Sequence, residues 1–170
     1  MASFSSSVAG QRGDAKRSSA AKAIGMAGLL CGVMDITAAL VVYGAMGHRP
    51  QRLLQGITSV AIGPRAFSGG WATAALGLFF HFVVACGAAT VFYLASRWMR
   101  FLVQRTVLFG AFYGVAVCFF MDRVVIPLFS HKPRPFNLKF AVIGIIIHII
   151  CVGSPIAFMM RKYGGPVPAQ

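Results

Sequence analysis

Apolar residues gather into four long runs, and short polar or basic segments separate them. Each run has about 20 residues or more, enough for a helix to cross a hydrocarbon core of about 30 Å. In lipid the backbone N–H and C=O groups must be satisfied within their own segment, so we expect helices. The pattern predicts an all-α, polytopic membrane protein, a four-transmembrane-helix bundle over residues 24–160. The predicted spans are 24–46, 71–95, 106–129 and 138–160.

The segments outside the spans are polar. Residues 1–23 are a basic polar N-terminal tail, rich in Ser and Arg and almost free of acids. We expect a cytoplasmic tail, and an organelle targeting segment is the alternative because such segments share this composition. Residues 161–170 are a C-terminal tail. Residues 130–137 contain two prolines and predict a tight polar turn.

The connection between the first two spans has its own pattern. Apolar residues recur at helical spacing over residues 53–61, beside Arg52, Gln55 and Ser59. This predicts a short amphipathic helix that lies at the membrane interface after the first span. Gly63 and Pro64 are expected to end it.

Composition excludes a disordered chain, a coiled coil and an ordinary soluble enzyme. Hydrophobic residues make up 58% of the chain and charged residues 11%, whereas a soluble domain carries about a quarter charged residues. The formal net charge of +13 would suggest nucleic acid for a soluble protein. Here the basic residues flank apolar runs, so we predict a lipid bilayer with anionic head groups as the partner, and no nucleic acid.

The distribution of basic residues predicts an orientation. Four spans put both termini on one side, and that side carries nine Lys and Arg against six on the other. The positive-inside rule therefore predicts that both termini are cytoplasmic. The nine are Arg12, Lys16, Arg17, Lys22, Arg97, Arg100, Arg105, Arg161 and Lys162.

Small residues form a stripe on each predicted span, and such stripes are where membrane helices approach closely. Two GxxxG motifs, Gly28 with Gly32 and Gly110 with Gly114, are expected to pack against neighbouring helices. Four helices make a narrow bundle. A transport path through it would call for a homo-oligomer or a membrane partner.

Three ionisable residues lie near the middle of the predicted spans. Asp35, His81 and His148 are each about 15 Å from the outer end of their span. Each lies on the small-residue stripe, so we expect a polar midplane cluster that faces the bundle interior. Ionisable residues are costly in a bilayer, and each is therefore a functional hypothesis.

A second pair lies closer to the outer surface. Asp122 and Arg123 are about 10 Å below it. Asp122 shares the small-residue face and is expected to point inward, whereas Arg123 lies about 100° further round the helix. The pair is interpreted either as an outer vestibule for an anionic group or as an ion pair between helices.

Several functions remain open for these residues. Asp35 beside a histidine suits a small proton-linked transporter, channel or accessory subunit. The same residues suit a purely structural subunit, in which Asp35 and a histidine form a hydrogen-bonded clasp. His81 and His148 at equal depth could also be the axial ligands of a haem b in an electron carrier. No metal site is predicted, because the four cysteines show no CxxC spacing. No enzymatic motif is present, and no activity as an enzyme is predicted.

Several stretches together resemble a known family. They are GxxxGxxD from Gly28 to Asp35, residues 52–57, residues 69–81, Tyr113-Gly114, Met121-Asp122, residues 125–128 and residues 151–156. The chain after residue 23 is similar to a family of uncharacterised small bacterial inner-membrane proteins with four predicted transmembrane helices. The resemblance implies a multi-pass protein of the bacterial cell inner membrane, and it implies no activity.

Overall fold

A computed structural model describes residues 2–130 and 137–165, with side chains over residues 19–128 and 137–165. The described part of the chain is all-α. The α-helices are α1 (Ala2–Ala45), α2 (Pro50–Ile62), α3 (Gly70–Trp98), α4 (Phe101–Gln104), α5 (Thr106–Phe120), α6 (Ile126–Ser130), α7 (Leu138–Ile147) and α8 (Ser154–Tyr163). A 3₁₀ helix covers Gly63–Ser68, and π-helical segments cover Met121–Val125 and His148–Gly153. Residues 131–136 of the predicted turn and residues 166–170 of the C-terminal tail lie outside the described residues.

Four helical stretches are long and apolar enough to cross a membrane. Spans 1 to 4 are Ser19–Ala45, Gly70–Trp98, Thr106–Leu128 and Leu138–Tyr163. Large apolar side chains lie on their outer surfaces, as expected where lipid replaces water. The prediction of an all-α, four-span membrane bundle with a short helix after the first span is confirmed. Helix α1 begins at Ala2, so the backbone of the predicted N-terminal tail continues into span 1 from residue 2.

Small side chains allow the spans to pack closely. Span 1 packs against α3 and against α8, and α5 packs against α8 and against the π-helical segment His148–Gly153. The buried core lies between them and contains Ala27, Ala89, Phe92, Ile156 and Met160. Alanine at these positions lets two helix backbones approach, and the larger side chains fill the remaining space.

Helix α2 forms as predicted, but two of its polar residues point into the protein rather than toward the membrane interface. It begins at Pro50, a residue suited to a first helical position, and ends before Gly63, whose φ is +71°. Gln55 and Thr58 are buried, because the first turn of α3 offers them hydrogen-bond partners. The Nε2 amide of Gln55 donates to the Gly70 carbonyl at 2.9 Å. The Thr58 hydroxyl donates to the Thr73 carbonyl at 2.6 Å. A polar seam therefore fixes α2 to α3.

Spans 3 and 4 each contain a π-helical segment shortly before a proline. Pro127 follows Met121–Val125 and Pro155 follows His148–Gly153. Proline lacks an N–H, and its ring crowds the preceding turn, which perturbs the helix there. The Ser154 backbone N–H donates to the Ile149 carbonyl, and the Ser154 hydroxyl donates to the same oxygen at 2.7 Å. Both wider turns lie at the level of the cavity described next.

Candidate functional site

A small cavity lies between the four spans. Its volume is about 70 Å³, and every span contributes to its wall. Asp35, His81 and His148 all line it, so the structure brings the three residues of the expected midplane cluster around one space. The rest of the wall consists of small and aliphatic residues together with Cys31 and Met121.

His81 links span 2 to span 1 at the cavity. Its Nε2 lies 2.9 Å from the Gly32 carbonyl oxygen. A carbonyl only accepts hydrogen bonds, so Nε2 carries the proton and donates. In the neutral ring Nδ1 is then an acceptor. Gly32 allows this approach, because a Cβ at this position would lie 2.7 Å from the ring of Phe82.

His148 is held by its own helix. Its Nδ1 donates to the Gly144 carbonyl, one turn earlier, at 2.8 Å. The neutral ring therefore keeps Nε2 as an acceptor. A Cβ on Gly114 would contact the His148 carbonyl, so the glycine brings span 3 directly against the backbone at His148.

Asp35 is partly buried on span 1. Over the described residues its carboxylate makes no hydrogen bond and no ion pair. Neither histidine reproduces the clasp considered from the sequence, because each bound ring N–H goes to a backbone carbonyl instead. The carboxylate therefore faces a cavity whose histidines are bonded elsewhere.

The geometry does not fit the haem alternative. A cavity of about 70 Å³ is about half the size of one that binds benzene, roughly 150 Å³, and a haem is much larger than benzene. The residues present therefore do not fit a haem b. Within the described residues, no group of three or more His, Cys, Asp or Glu could hold a metal ion.

Asp122 and Arg123 do not join the cavity. Both are exposed and lie in the π-helical segment Met121–Val125, whereas Met121 lines the cavity. The expectation that Asp122 points inward assumed regular α-helical spacing from Cys118. The cavity face of span 3 instead follows Val117 and Met121, one helical turn apart, so Asp122 lies about 100° further round the helix.

The glycines of both GxxxG motifs lie at helix contacts. A Cβ on Gly28 would lie 2.9 Å from the Cys86 Cα, and one on Gly110 would lie 3.1 Å from the Gly153 carbonyl oxygen. Gly153 contacts the Gly110 carbonyl in return. The sequence reasoning missed Gly153, because no second glycine stands four residues away on span 4 to form a motif.

A basic cluster lies at the end of the bundle that carries the predicted cytoplasmic termini. The Lys22 and Lys162 Nζ atoms lie 5.5 Å and 5.1 Å from the centre of the Tyr163 ring. The Arg161 guanidinium donates to the Thr106 hydroxyl at 3.4 Å, and the Arg97 guanidinium lies 4.8 Å from the centre of the Tyr93 ring. The sequence indicated the basic residues but not the tyrosines that organise them.

Comparisons with known protein families, with curated proteins and with solved structures find no match for this chain. The fold itself defines the class, an integral membrane protein with four spans.

Proposed function

We propose that this protein takes up protons within the membrane, as a small proton-linked transporter, channel or accessory subunit. One observation carries the proposal. A carboxylate and two imidazoles, Asp35, His81 and His148, surround one cavity between four membrane spans.

The chemistry of these side chains supports the proposal. An imidazole changes charge near neutral pH, and a nearby carboxylate favours its protonated form. Each ring has one nitrogen left as an acceptor for a proton. A water molecule needs roughly 10–15 Å³ of such a cavity, so about 70 Å³ has room for several water molecules that could relay protons.

Three cysteine thiols also lie around Asp35, and they do not change the proposal of proton uptake. Cys31 on span 1, Cys118 on span 3 and Cys151 on span 4 are within electrostatic reach of its carboxylate. Free thiols titrate above neutral pH. The thiols are therefore not the proton acceptors that the proposal invokes.

Proton flux into liposomes tests the proposal. Purified protein is reconstituted with a pH-sensitive dye inside, and a potassium gradient with valinomycin drives cations inward. We expect acidification of the interior that Asp35→Asn reduces at least tenfold. Asp122→Asn is the matched control, because this acid is exposed and outside the cavity. Flux equal to that of protein-free liposomes would exclude a transporter and a channel. Equal flux in the wild-type protein and in Asp35→Asn would show that Asp35 is not part of the proton path.

A structural role is the second candidate, favoured by one contact. The bond from His81 to the Gly32 carbonyl joins spans 1 and 2. A purely structural subunit would lose stability with His81→Phe and would show no dependence of flux on Asp35.

The proposed location is the bacterial cell inner membrane, with both termini in the cytoplasm and anionic head groups at the basic cluster. The contacts of Lys22 and Lys162 with Tyr163 support it, because a cationic cluster with aromatic rings is typical of a cytoplasmic interface. A homo-oligomer or a membrane partner would supply the width that four helices lack. A reporter fused after Gln170 that is active only in the cytoplasm tests the orientation, and an inactive fusion would contradict it.

A further inference from the structure

Two lysines from different spans lie beside one aromatic ring at the end of the bundle that carries the predicted cytoplasmic termini. Lys22 is in the first turn of span 1, and Lys162 is in the last turn of span 4. Their Nζ atoms lie 5.5 Å and 5.1 Å from the centre of the same ring, that of Tyr163. The Ser19 hydroxyl donates to the Tyr163 carbonyl at 2.8 Å, which ties this residue to span 1. One ring therefore brings two positive charges together, and we call Lys22 and Lys162 the lysine pair.

The lysine pair keeps its N–H bonds for a ligand. Both side chains are exposed, and over the described residues neither ammonium group makes a hydrogen bond or an ion pair. The neighbouring arginines differ, because Arg161 donates to the Thr106 hydroxyl at 3.4 Å and Arg97 donates to the Ser96 hydroxyl at 3.5 Å. A lysine ammonium group has three N–H donors, so the pair is able to bind an acceptor that carries negative charge.

Among the described side chains, no carboxylate lies near the lysine pair. Asp35 lies about 20 Å further along span 1 than Lys22, and Asp122 lies beyond the cavity on span 3. The third acid is Asp14, whose side chain is outside the described ones. The C-terminus of α8 contributes a partial charge of about −0.5, which offsets about a quarter of the two lysine charges. Most of the positive charge therefore has no counter-charge among the described residues.

The position of the lysine pair favours a phospholipid as the ligand. Both lysines are in end turns of membrane spans, at the level of the lipid head groups. Trp98, at the same end of span 2, is 79% exposed, as is typical of a residue at this interface. Lysine is a common ligand of phosphate. A head group with its own ammonium group would be repelled by the pair, so the chemistry favours a phospholipid with net negative charge.

We propose that the lysine pair binds the phosphate of one acidic phospholipid whose head group carries no positive charge, as in phosphatidylglycerol. Tyr163 is a positioning residue, because its ring holds both lysines near each other. The bound lipid joins spans 1 and 4. The inference rests on the proposed contact with anionic head groups, and it names one stoichiometric site in place of a diffuse attraction.

Native mass spectrometry of the delipidated protein in a non-ionic detergent tests the inference. Phosphatidylglycerol and phosphatidylcholine with the same acyl chains are titrated separately. We expect the first phosphatidylglycerol to bind at least tenfold more tightly than phosphatidylcholine, because the choline group repels the lysine pair. This preference is measured on the wild-type protein and does not require a variant to fold.

Variants with an equal loss of charge separate this site from a diffuse attraction. Lys22→Gln combined with Lys162→Gln is expected to weaken binding of the first phosphatidylglycerol at least tenfold. Arg65→Gln combined with Lys139→Gln is the matched control, because both residues are exposed at the opposite end of the bundle. This control is expected to change the binding less than twofold.

Two variants of Tyr163 test its positioning role. Tyr163→Leu removes the aromatic face and is expected to weaken phosphatidylglycerol binding about threefold, because the lysines lose the ring that holds them. Tyr163→Phe keeps an aromatic face and is expected to retain the binding. A merely structural role would give the same lipid preference in both variants.

Three results would overturn the inference. The first is equal binding of the two lipids to the wild-type protein. The second is an equal loss in the two double variants, which would mean that net charge alone attracts the lipid. The third is displacement of phosphatidylglycerol by inorganic phosphate at equal concentration, which would assign the lysine pair to a soluble phosphate compound. The binding assay measures no proton flux, so flux that depends on Asp35 without any lipid preference would retain the proposed function and reject the lipid site.

Discussion

The inner and outer halves of this bundle are built differently. The inner half is the end that carries the predicted cytoplasmic termini, residues 19–31, 85–98, 106–118 and 152–163. The outer half is the opposite end, residues 32–45, 70–84, 119–128 and 138–151. In spans 3 and 4 the inner half contains Gly114, Ile156 and Met160, which are buried. No described residue of the outer half of these two spans is buried.

The cavity lies at the boundary between the two halves. Cys31 and Val152 belong to both the inner core and the cavity wall, and both π-helical segments begin on the outer side of this boundary. Tight packing therefore holds the four spans together at one end. The small cavity lies at the start of the other end, beside the two irregular turns.

The largest expected effect comes from a large side chain in the inner half. Phe92 is 1% exposed, and its ring lies 5.0 Å from that of Tyr113. Phe92→Ala is expected to lower the free energy of unfolding by about 3 kcal/mol, because the space it leaves cannot close completely. Denaturant titration in mixed micelles measures this.

Phe79→Ala is the matched control in the outer half, because Phe79 is 60% exposed on the same helix. Phe79→Ala is expected to change the free energy of unfolding by less than about 0.5 kcal/mol. Equal losses in the two variants would show that the halves do not differ in packing.

The fold was largely predictable from the sequence, because lipid permits few alternatives. A run of about 20 apolar residues in a membrane must satisfy its own backbone, which makes it a helix. Residue counting placed Asp35, His81 and His148 at one depth, since the rise of a helix is regular. The helical spans and the depth of these residues therefore follow from local geometry alone.

The details of the site depend on contacts between helices, and the local geometry of a single helix does not determine these. The partner of His81 is a backbone carbonyl on another helix, and the partner of Thr58 lies on α3. Met121 rather than its neighbour Asp122 lines the cavity, and the small-residue stripe of span 3 does not show which face of the helix borders that space. Gly153 contacts Gly110 without belonging to any motif.

An intermediate effect is expected where spans 3 and 4 cross. A Cβ on Gly153 would collide with the Gly110 carbonyl of the neighbouring helix. Gly153→Ala is therefore expected to cost about 2 kcal/mol of unfolding free energy, because two backbones must move apart. Gly87→Ala is the control, since nothing lies within 4 Å of its added Cβ. It should leave stability unchanged or raise it by up to about 1 kcal/mol. A similar response at both glycines would contradict the close crossing.

The smallest effect is expected at the polar seam of α2, which lies against the outer half. Thr58→Val keeps the shape of the side chain and removes the 2.6 Å hydrogen bond to the Thr73 carbonyl. The expected cost is about 1 kcal/mol, which corresponds to roughly fivefold faster amide hydrogen exchange across α2 if that helix opens on its own.

Ser59→Ala is the matched control for the seam. The Ser59 hydroxyl bonds to the Gly56 carbonyl within α2 itself, at 2.7 Å, so its loss leaves the link to α3 intact. Unchanged exchange in Thr58→Val would mean that apolar contacts alone hold α2. Faster exchange in α2 with unchanged exchange in α3 would show instead that α2 detaches while the inner half stays packed. In that case α2 would be able to open without unfolding the bundle.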